Sequence, residues 1–286
     1  METMNEFVQA FNHFLTSSLD RLPNSNVREA MSYALVGEGK RFRPLLVYTS
    51  TGKDSFDSNL LTCASALEMI QTYSLIHDDM TCMDDDDYRR GRLTLHKQFD
   101  EATALLAGDG LLTYAFEMLI QSELNDNQKV QTIKWLSRAA GASGMVLGQD
   151  IDLLNEHNNQ LSDAKLEELY RLKTGALFGC ALVFGQIINQ NYEQLQDYYE
   201  LGLKLGFLFQ IQDDYLETIS DFKTLGKSVE SDKKQQKSTY VSRYSLDYTK
   251  LKLDEGFSEL KRDIINLRLN SQSMITLIEQ VQNRNH

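Results

Sequence analysis

Proline is almost absent from this chain: Pro23 and Pro44 are the only two among 286 residues. With none beyond residue 44, and no Gly/Ser-rich or repetitive stretch, nothing marks a linker, so residues 1–286 read as a single domain. Strand signals are nearly absent too. The three cysteines, Cys63, Cys82 and Cys180, are odd in number, widely spaced and without a CxxC pair. That excludes a zinc-finger pattern and suits a reducing compartment. Basic residues are outnumbered, 29 Lys and Arg against 41 Asp and Glu; the net charge of −12 argues against nucleic acid as a partner. Long apolar runs are missing as well. The longest, Gly175 to Ile188, is broken by glycines and Gln186 and falls short of the roughly 18 to 20 residues a bilayer requires, so no membrane span is expected. The acidic start, Met1 to Glu6, lacks the basic region of a signal peptide, and a cytoplasmic protein is the expectation.

What is present is helical periodicity. Met4, Phe7, Val8, Phe11, Phe14 and Leu15 recur at i, i+3, i+4 spacing, and this helix stops at Leu22 to Asn26. Asn26 is a candidate cap for a helix through Leu35, before a turn at Gly37, Glu38 and Gly39. Pro44 suits the first turn of a third helix, and Ser58 or Asn59 caps a long one ending at Asp78 and Asp79. Further helices are expected at 103–122, 128–141, 143–155, 163–188, 193–219, 231–247 and 273–283. The pattern predicts an all-α bundle with its site in a central cavity, where acidic motifs from different helices face each other.

Those motifs carry the chemistry. Asp78, Asp79 and Asp84 to Asp87 put six carboxylates inside ten residues, followed at once by Arg89, Arg90 and Arg92. Carboxylates this dense repel one another unless cations neutralise them, which calls for a hard divalent metal, Mg²⁺ first. The arginines call for an anion, and a metal-bound diphosphate answers both needs. A solvated acidic face is the bland alternative, but the apolar run Leu67 to Ile76 makes the first aspartates emerge from a buried helix. An EF-hand is discarded because its loop spacing is missing.

A second acidic run, Gln210 to Glu217, lies far downstream, with Lys227 and Lys237 after it. On a helix Asp213 and Glu217 are i and i+4, about 40° apart, and can share a site. Asp78 and Asp84 are i and i+6, roughly 120° apart, so their helix must end or bend near Met80, with the break at Thr81-Cys82-Met83, for both to reach one metal cluster.

These motifs resemble those of the trans-isoprenyl diphosphate synthases, and the resemblance covers almost the whole chain. Gly39 to Pro44 resembles the family's G-K-R-x-R-P. Asp78, Asp79 and Asp84, followed by Arg89, Arg90 and Gly91, resemble its first aspartate motif with two inserted residues and the R-R-G that follows. Ala107-Gly108-Asp109, Gly148 to Leu153 (G-Q-x-x-D-L), Lys173 to Ala176 (K-T-G-A) and the Gln210 to Glu217 run with Gly226 and Lys227 complete seven motifs in order.

The resemblance implies an all-α homodimeric prenyltransferase that joins isopentenyl diphosphate to an allylic diphosphate, with Mg²⁺ or Mn²⁺ as cofactor. It implies metal held by Asp78, Asp84 and Asp213, with Asp79 in support. Arg89, Lys173 and Lys227 are then catalytic cations at the allylic diphosphate, with Thr174, Gln210 and Lys237 among its binding residues. Lys40, Arg43, Gln71 and Arg90 are assigned to isopentenyl diphosphate, and Gln149 and Asp152 to the polar lining of the cavity. Three departures stand out: Gln71 replaces a frequent His, Glu217 replaces the usual final Asp, and Thr81-Cys82 replaces Pro-Ala. Tyr73, an aromatic five residues before Asp78, implies a farnesyl rather than a geranylgeranyl product. A class I terpene cyclase and a non-catalytic synthase subunit are the competing readings. The second aspartate pair, Asp213 and Asp214, argues against the first, and retention of both motifs against the second.

Overall fold

The computed structural model describes residues 2–37, 39–158, 161–225, 239–269 and 271–284. Among these the chain is helical nearly throughout, as the periodicity predicts. It packs as two compact units, Met1–Lys134 with Phe184–Asn191, and Trp135–Val183 with Tyr192–His286.

In the first unit, α1 (Glu2–Leu19) buries Phe7, Phe11 and Leu15 along one stripe, and Phe7 stacks on Tyr48 with ring centroids 4.7 Å apart. α2 (Asn26–Leu35) is capped by Ser25, one residue before the expected Asn26; the Ser25 hydroxyl accepts the amide of Arg28. α3 (Phe42–Ser50) carries Pro44 in its first turn. α4 (Ser58–Asp78) is capped by Asp57 rather than Ser58 or Asn59, through the amide of Leu60 at 2.9 Å. Three consecutive residues here are competent caps, and the one whose side chain reaches the third amide wins.

α4 is apolar around most of its circumference, with Cys63, Ala64, Ala66, Leu67, Met69 and Ile70 fully buried, so it is the unit's central helix. Burial of Leu67 alone contributes about 1.5–3 kcal/mol. Its aspartates therefore leave the core on a rigid element. A two-stranded ribbon, β1 (Tyr88–Arg89) with β2 (Arg92–Leu93), follows, then α5 (Leu95–Gln98) and α6 (Glu101–Gln121).

α7 (Asp126–Ala140) leads to the second unit, where α8 (Met145–Asn158) and α9 (Asp163–Tyr170) precede a π-helical turn at Arg171–Gly175. α10 (Ala176–Ile188) continues the same axis, so the expected 163–188 helix is one rod with a π-turn inside it. α11 (Leu195–Leu225) runs past it at glycines on both sides: a Cβ on Gly206 would lie 2.1 Å from Gly175 Cα. Only glycine permits that approach.

The expected helix 231–247 is corrected. Residues 231–238 lie outside the described residues, and the remainder holds α12 (Tyr240–Arg243), which ends where Tyr244 turns extended. Ser245 then caps α13 (Leu246–Asn266), an amphipathic helix not expected from the sequence, which buries Leu253, Phe257, Leu260 and Ile264. α14 (Gln272–Gln282) closes the described chain.

Two helical segments are long and apolar enough to cross a bilayer, Glu101–Gln121 and Asp163–Ile188, the second containing the Gly175 to Ile188 run. In the second, 72% of the most apolar stretch is buried in protein, the pattern of a core helix; in α6 the figure is 44%.

Candidate functional site

The end of α4 behaves as its spacing demands. The helix stops at Asp78, Asp79 caps it, and the chain doubles back: the amide of Asp84 donates to the carbonyl of Asp78 at 2.9 Å, and that of Asp85 to Met80 at 3.1 Å. Residues six apart are thus returned to one helix end. Asp79 is 4% exposed, and its Oδ1 accepts Arg89 Nε at 2.6 Å and faces Nη2 at 2.5 Å. Burial pushes the Asp79 carboxyl up, and Arg89 opposes that shift. The outer aspartates are also engaged, Asp87 with Lys97 at 2.9 Å.

The ribbon explains the arginine pair. Arg90 and Gly91 form its two-residue turn, both with positive φ (52° and 74°), as a type I′ hairpin requires. The turn sends the two side chains to different targets. Arg89 meets Asp79, while Arg90 Nη1 lies so close to Gly39 that a Cβ there would come within 2.8 Å. Arg90 is thereby brought to the segment carrying Lys40 and Arg43.

That segment is held by a residue whose role sequence reasoning missed. Arg41, 6% exposed and at φ 47°, donates to Asn12 Oδ1, to the carbonyls of Leu35 and Gly37, and to Glu68 Oε1 at 2.7 Å. Glu68 is itself buried on α4, so the pair is a desolvated ion pair that pins the loop between Lys40 and Arg43. A cleft of ≈ 580 Å³ opens beside it, lined by Arg41, Arg89, Arg90, Arg92, Thr72 and Asp79. Gln71 is part-buried on α4. Tyr73, 8% exposed, presents its ring edge-on to His77 at 5.8 Å.

In the second unit, the π-turn carries Lys173 and Thr174. π-turns recur at functional sites because the extra residue re-aims side chains. Lys173 Nζ meets Asp152 Oδ2 at 2.5 Å, and Gly148 on α8 lets the π-turn's backbone come close, since a Cβ there would lie 2.2 Å from the Lys173 main-chain nitrogen. Asp152, expected as a lining residue, lines the cavity and holds the lysine. Thr174 donates to Gln210 Oε1 at 3.0 Å, and Gln210 Nε2 donates to Asp214 Oδ1 at 3.4 Å. The cavity, ≈ 670 Å³, is lined by these groups with Tyr170 and Glu217.

Asp213 and Glu217 lie one turn apart on α11, as their spacing expects. The cavity lining includes Glu217 and Asp214, whereas the Asp213 carboxylate is held by Arg284 at 2.7 Å. Arg284 also donates to Gln212 Oε1 and the carbonyl of Phe209, with its guanidinium 3.7 Å from the Phe209 ring centroid. No sequence signal pointed to Arg284, 71 positions downstream of Asp213. Lys227 and Lys237 lie outside the described residues.

Among the described residues no three His, Cys, Asp or Glu side chains converge as a ready-made cage. Mg²⁺ is held by one or two carboxylates, with substrate phosphates and water completing the shell. The donors at both motifs are hard carboxylate oxygens, the type a divalent cation of this class takes, and an arginine pairs with one of them at each motif, Asp79 and Asp213.

The polyprenyl synthetase family model matches residues 24–265. A farnesyl diphosphate synthase of Micrococcus luteus is 43% identical over 288 residues, 99% of this chain and 98% of that protein. The solved geranyltransferase of Legionella pneumophila superposes with a TM-score of 0.85 at 31% identity, covering 99% of this chain and 96% of that one. A Helicobacter pylori geranyltransferase complexed with magnesium and isoprenyl diphosphate gives 0.81 at 29% identity, covering 99% and 97%.

Proposed function

The chain belongs to the polyprenyl synthetase family, and on that premise we propose the reaction its residues serve. It condenses isopentenyl diphosphate with dimethylallyl and then geranyl diphosphate to give farnesyl diphosphate, releasing diphosphate at each step. The observation that carries this reading is the return of Asp84 to Asp78 at the end of a buried helix, beside an arginine pair that its own hairpin splays toward different partners.

Asp78, Asp79, Asp84 and Asp213 would hold divalent metal, Mg²⁺ or Mn²⁺. When bound, the metal supplies positive charge to the diphosphate leaving as the allylic C–O bond breaks. Arg89, Lys173 and Lys227 add fixed positive charge to that diphosphate, and Thr174, Gln210 and Lys237 orient it. Lys40, Arg43, Gln71 and Arg90 hold isopentenyl diphosphate so that its double bond attacks the cation. The departing diphosphate takes the proton, so no histidine base is needed. Tyr73 limits the product tunnel at fifteen carbons.

Residues 1–286 work as one catalytic domain in the cytoplasm, in keeping with Cys63, Cys82 and Cys180 all lying outside disulfides. A homodimer is supported by the outward face of α6, where Leu105, Leu106 and Ile120 are 46%, 53% and 53% exposed; a second copy covers it. The test is incubation of the purified protein with isopentenyl and dimethylallyl diphosphates and Mg²⁺, with products sized by chromatography and EDTA as control. No condensation product would overturn the reading.

A further inference from the structure

The two adjacent aspartates of the second motif stand in different surroundings. Asp213 faces Arg284, whereas Asp214 is the hub of a hydrogen-bond network. Its Oδ2 accepts the Tyr170 hydroxyl at 2.5 Å and the Tyr240 amide at 3.3 Å, and its Oδ1 accepts Gln210 Nε2 at 3.4 Å. Those donors come from the end of α9, the first residue of α12 and α11 itself. Both oxygens are thus already coordinated by protein donors.

The connections explain what the hub does. Tyr170 is the residue immediately before the π-turn and three before Lys173, so fixing its ring fixes how the turn leaves α9. Gln210, with its amide nitrogen committed to Asp214, must present its carbonyl oxygen, and that oxygen accepts the Thr174 hydroxyl. Tyr240 packs edge-on against Phe207, with centroids 6.1 Å apart, while its amide reaches Asp214, so the chain is fastened to α11 at that point.

We propose that Asp214 is a positioning residue and not a metal ligand: through Tyr170 and Gln210 it sets Lys173 and Thr174, the groups assigned to the allylic diphosphate. This rests on the prenyl-transfer reading above.

The test compares Asp214→Ala, Asp214→Asn, Tyr170→Phe, Asp214→Ala/Tyr170→Phe and Asp213→Ala in the full-length protein. Two readouts are used: Mn²⁺ stoichiometry by calorimetry at saturating inorganic diphosphate, and steady-state kinetics. Asp214→Ala keeps the wild-type number of bound Mn²⁺ ions, whereas Asp213→Ala loses at least one. In kinetics, Asp214→Ala raises KM for the allylic diphosphate and lowers kcat, each by about tenfold, and leaves KM for isopentenyl diphosphate within about twofold. Asp214→Asn, which retains an acceptor oxygen, recovers most of the loss. The double variant is no worse than Asp214→Ala, because both changes break one network. Loss of a Mn²⁺ ion in Asp214→Ala, equal shifts in both KM values, or additive effects in the double variant overturn the proposal. If Asp214→Ala does not fold, Asp214→Asn and Tyr170→Phe carry both readouts. An inactive wild type that still binds Mn²⁺ and diphosphate counts against the assigned reaction, and the Mn²⁺ arm still decides the role of Asp214.

Discussion

Arg284 and Asp213 form an ion pair at 2.7 Å between the end of the described chain and the carboxylate assigned to metal at the second motif. The guanidinium is 12% exposed and is also held by Gln212 and Phe209, so a cation is built into the place where a metal is expected to act. Metal at Asp213 must displace it. Arg284→Gln is therefore expected to bind Mn²⁺ severalfold more tightly in the presence of diphosphate, measured as free Mn²⁺ by electron paramagnetic resonance. An affinity equal to wild type contradicts this competition.

Arg41 gives a stability prediction. Its partner Glu68 sits on the buried helix α4, and truncating the arginine leaves an uncompensated charge there. Arg41→Ala should lower the unfolding free energy by about 3–5 kcal/mol. Urea denaturation checks it as a fall in midpoint at unchanged slope. A cost below about 1 kcal/mol would mean that the pair behaves as a surface bridge.

Tyr73 governs product length if its ring stands in the path of the growing chain. Five residues of helix rise about 7.5 Å, which sets the ring that far along α4 from Asp78. Tyr73→Ala should add at least one five-carbon unit to the product, read by chromatography after dephosphorylation. An unchanged profile moves the tunnel floor to another residue.

The sequence made the first motif legible because helix geometry leaves few options. Asp78 and Asp84 cannot share a site on an unbroken helix, and α4 does end at Asp78, with Asp84 bonded back to it. The second motif was less legible. Asp213 and Asp214 are identical in chemistry and differ by about 100° of helix rotation, so their separate partners depend on tertiary neighbours, Arg284 and Tyr170, which no local pattern names. α13 was missed for a related reason. Its core-facing stripe contains Gly256, which lowers the apolar signal, yet a Cβ there would lie 2.4 Å from Leu208 Cδ2. The glycine that weakens the pattern leaves room for the Leu208 side chain.

The most direct test of the account is the product made from isopentenyl and dimethylallyl diphosphates by the wild type and by Asp84→Asn, with Mg²⁺ and with excess EDTA. The account predicts farnesyl diphosphate as the main wild-type product, none with EDTA, and turnover lower by orders of magnitude in Asp84→Asn. Full turnover in EDTA, or an Asp84→Asn variant as fast as wild type, contradicts the metal-assisted ionisation on which every assigned role depends.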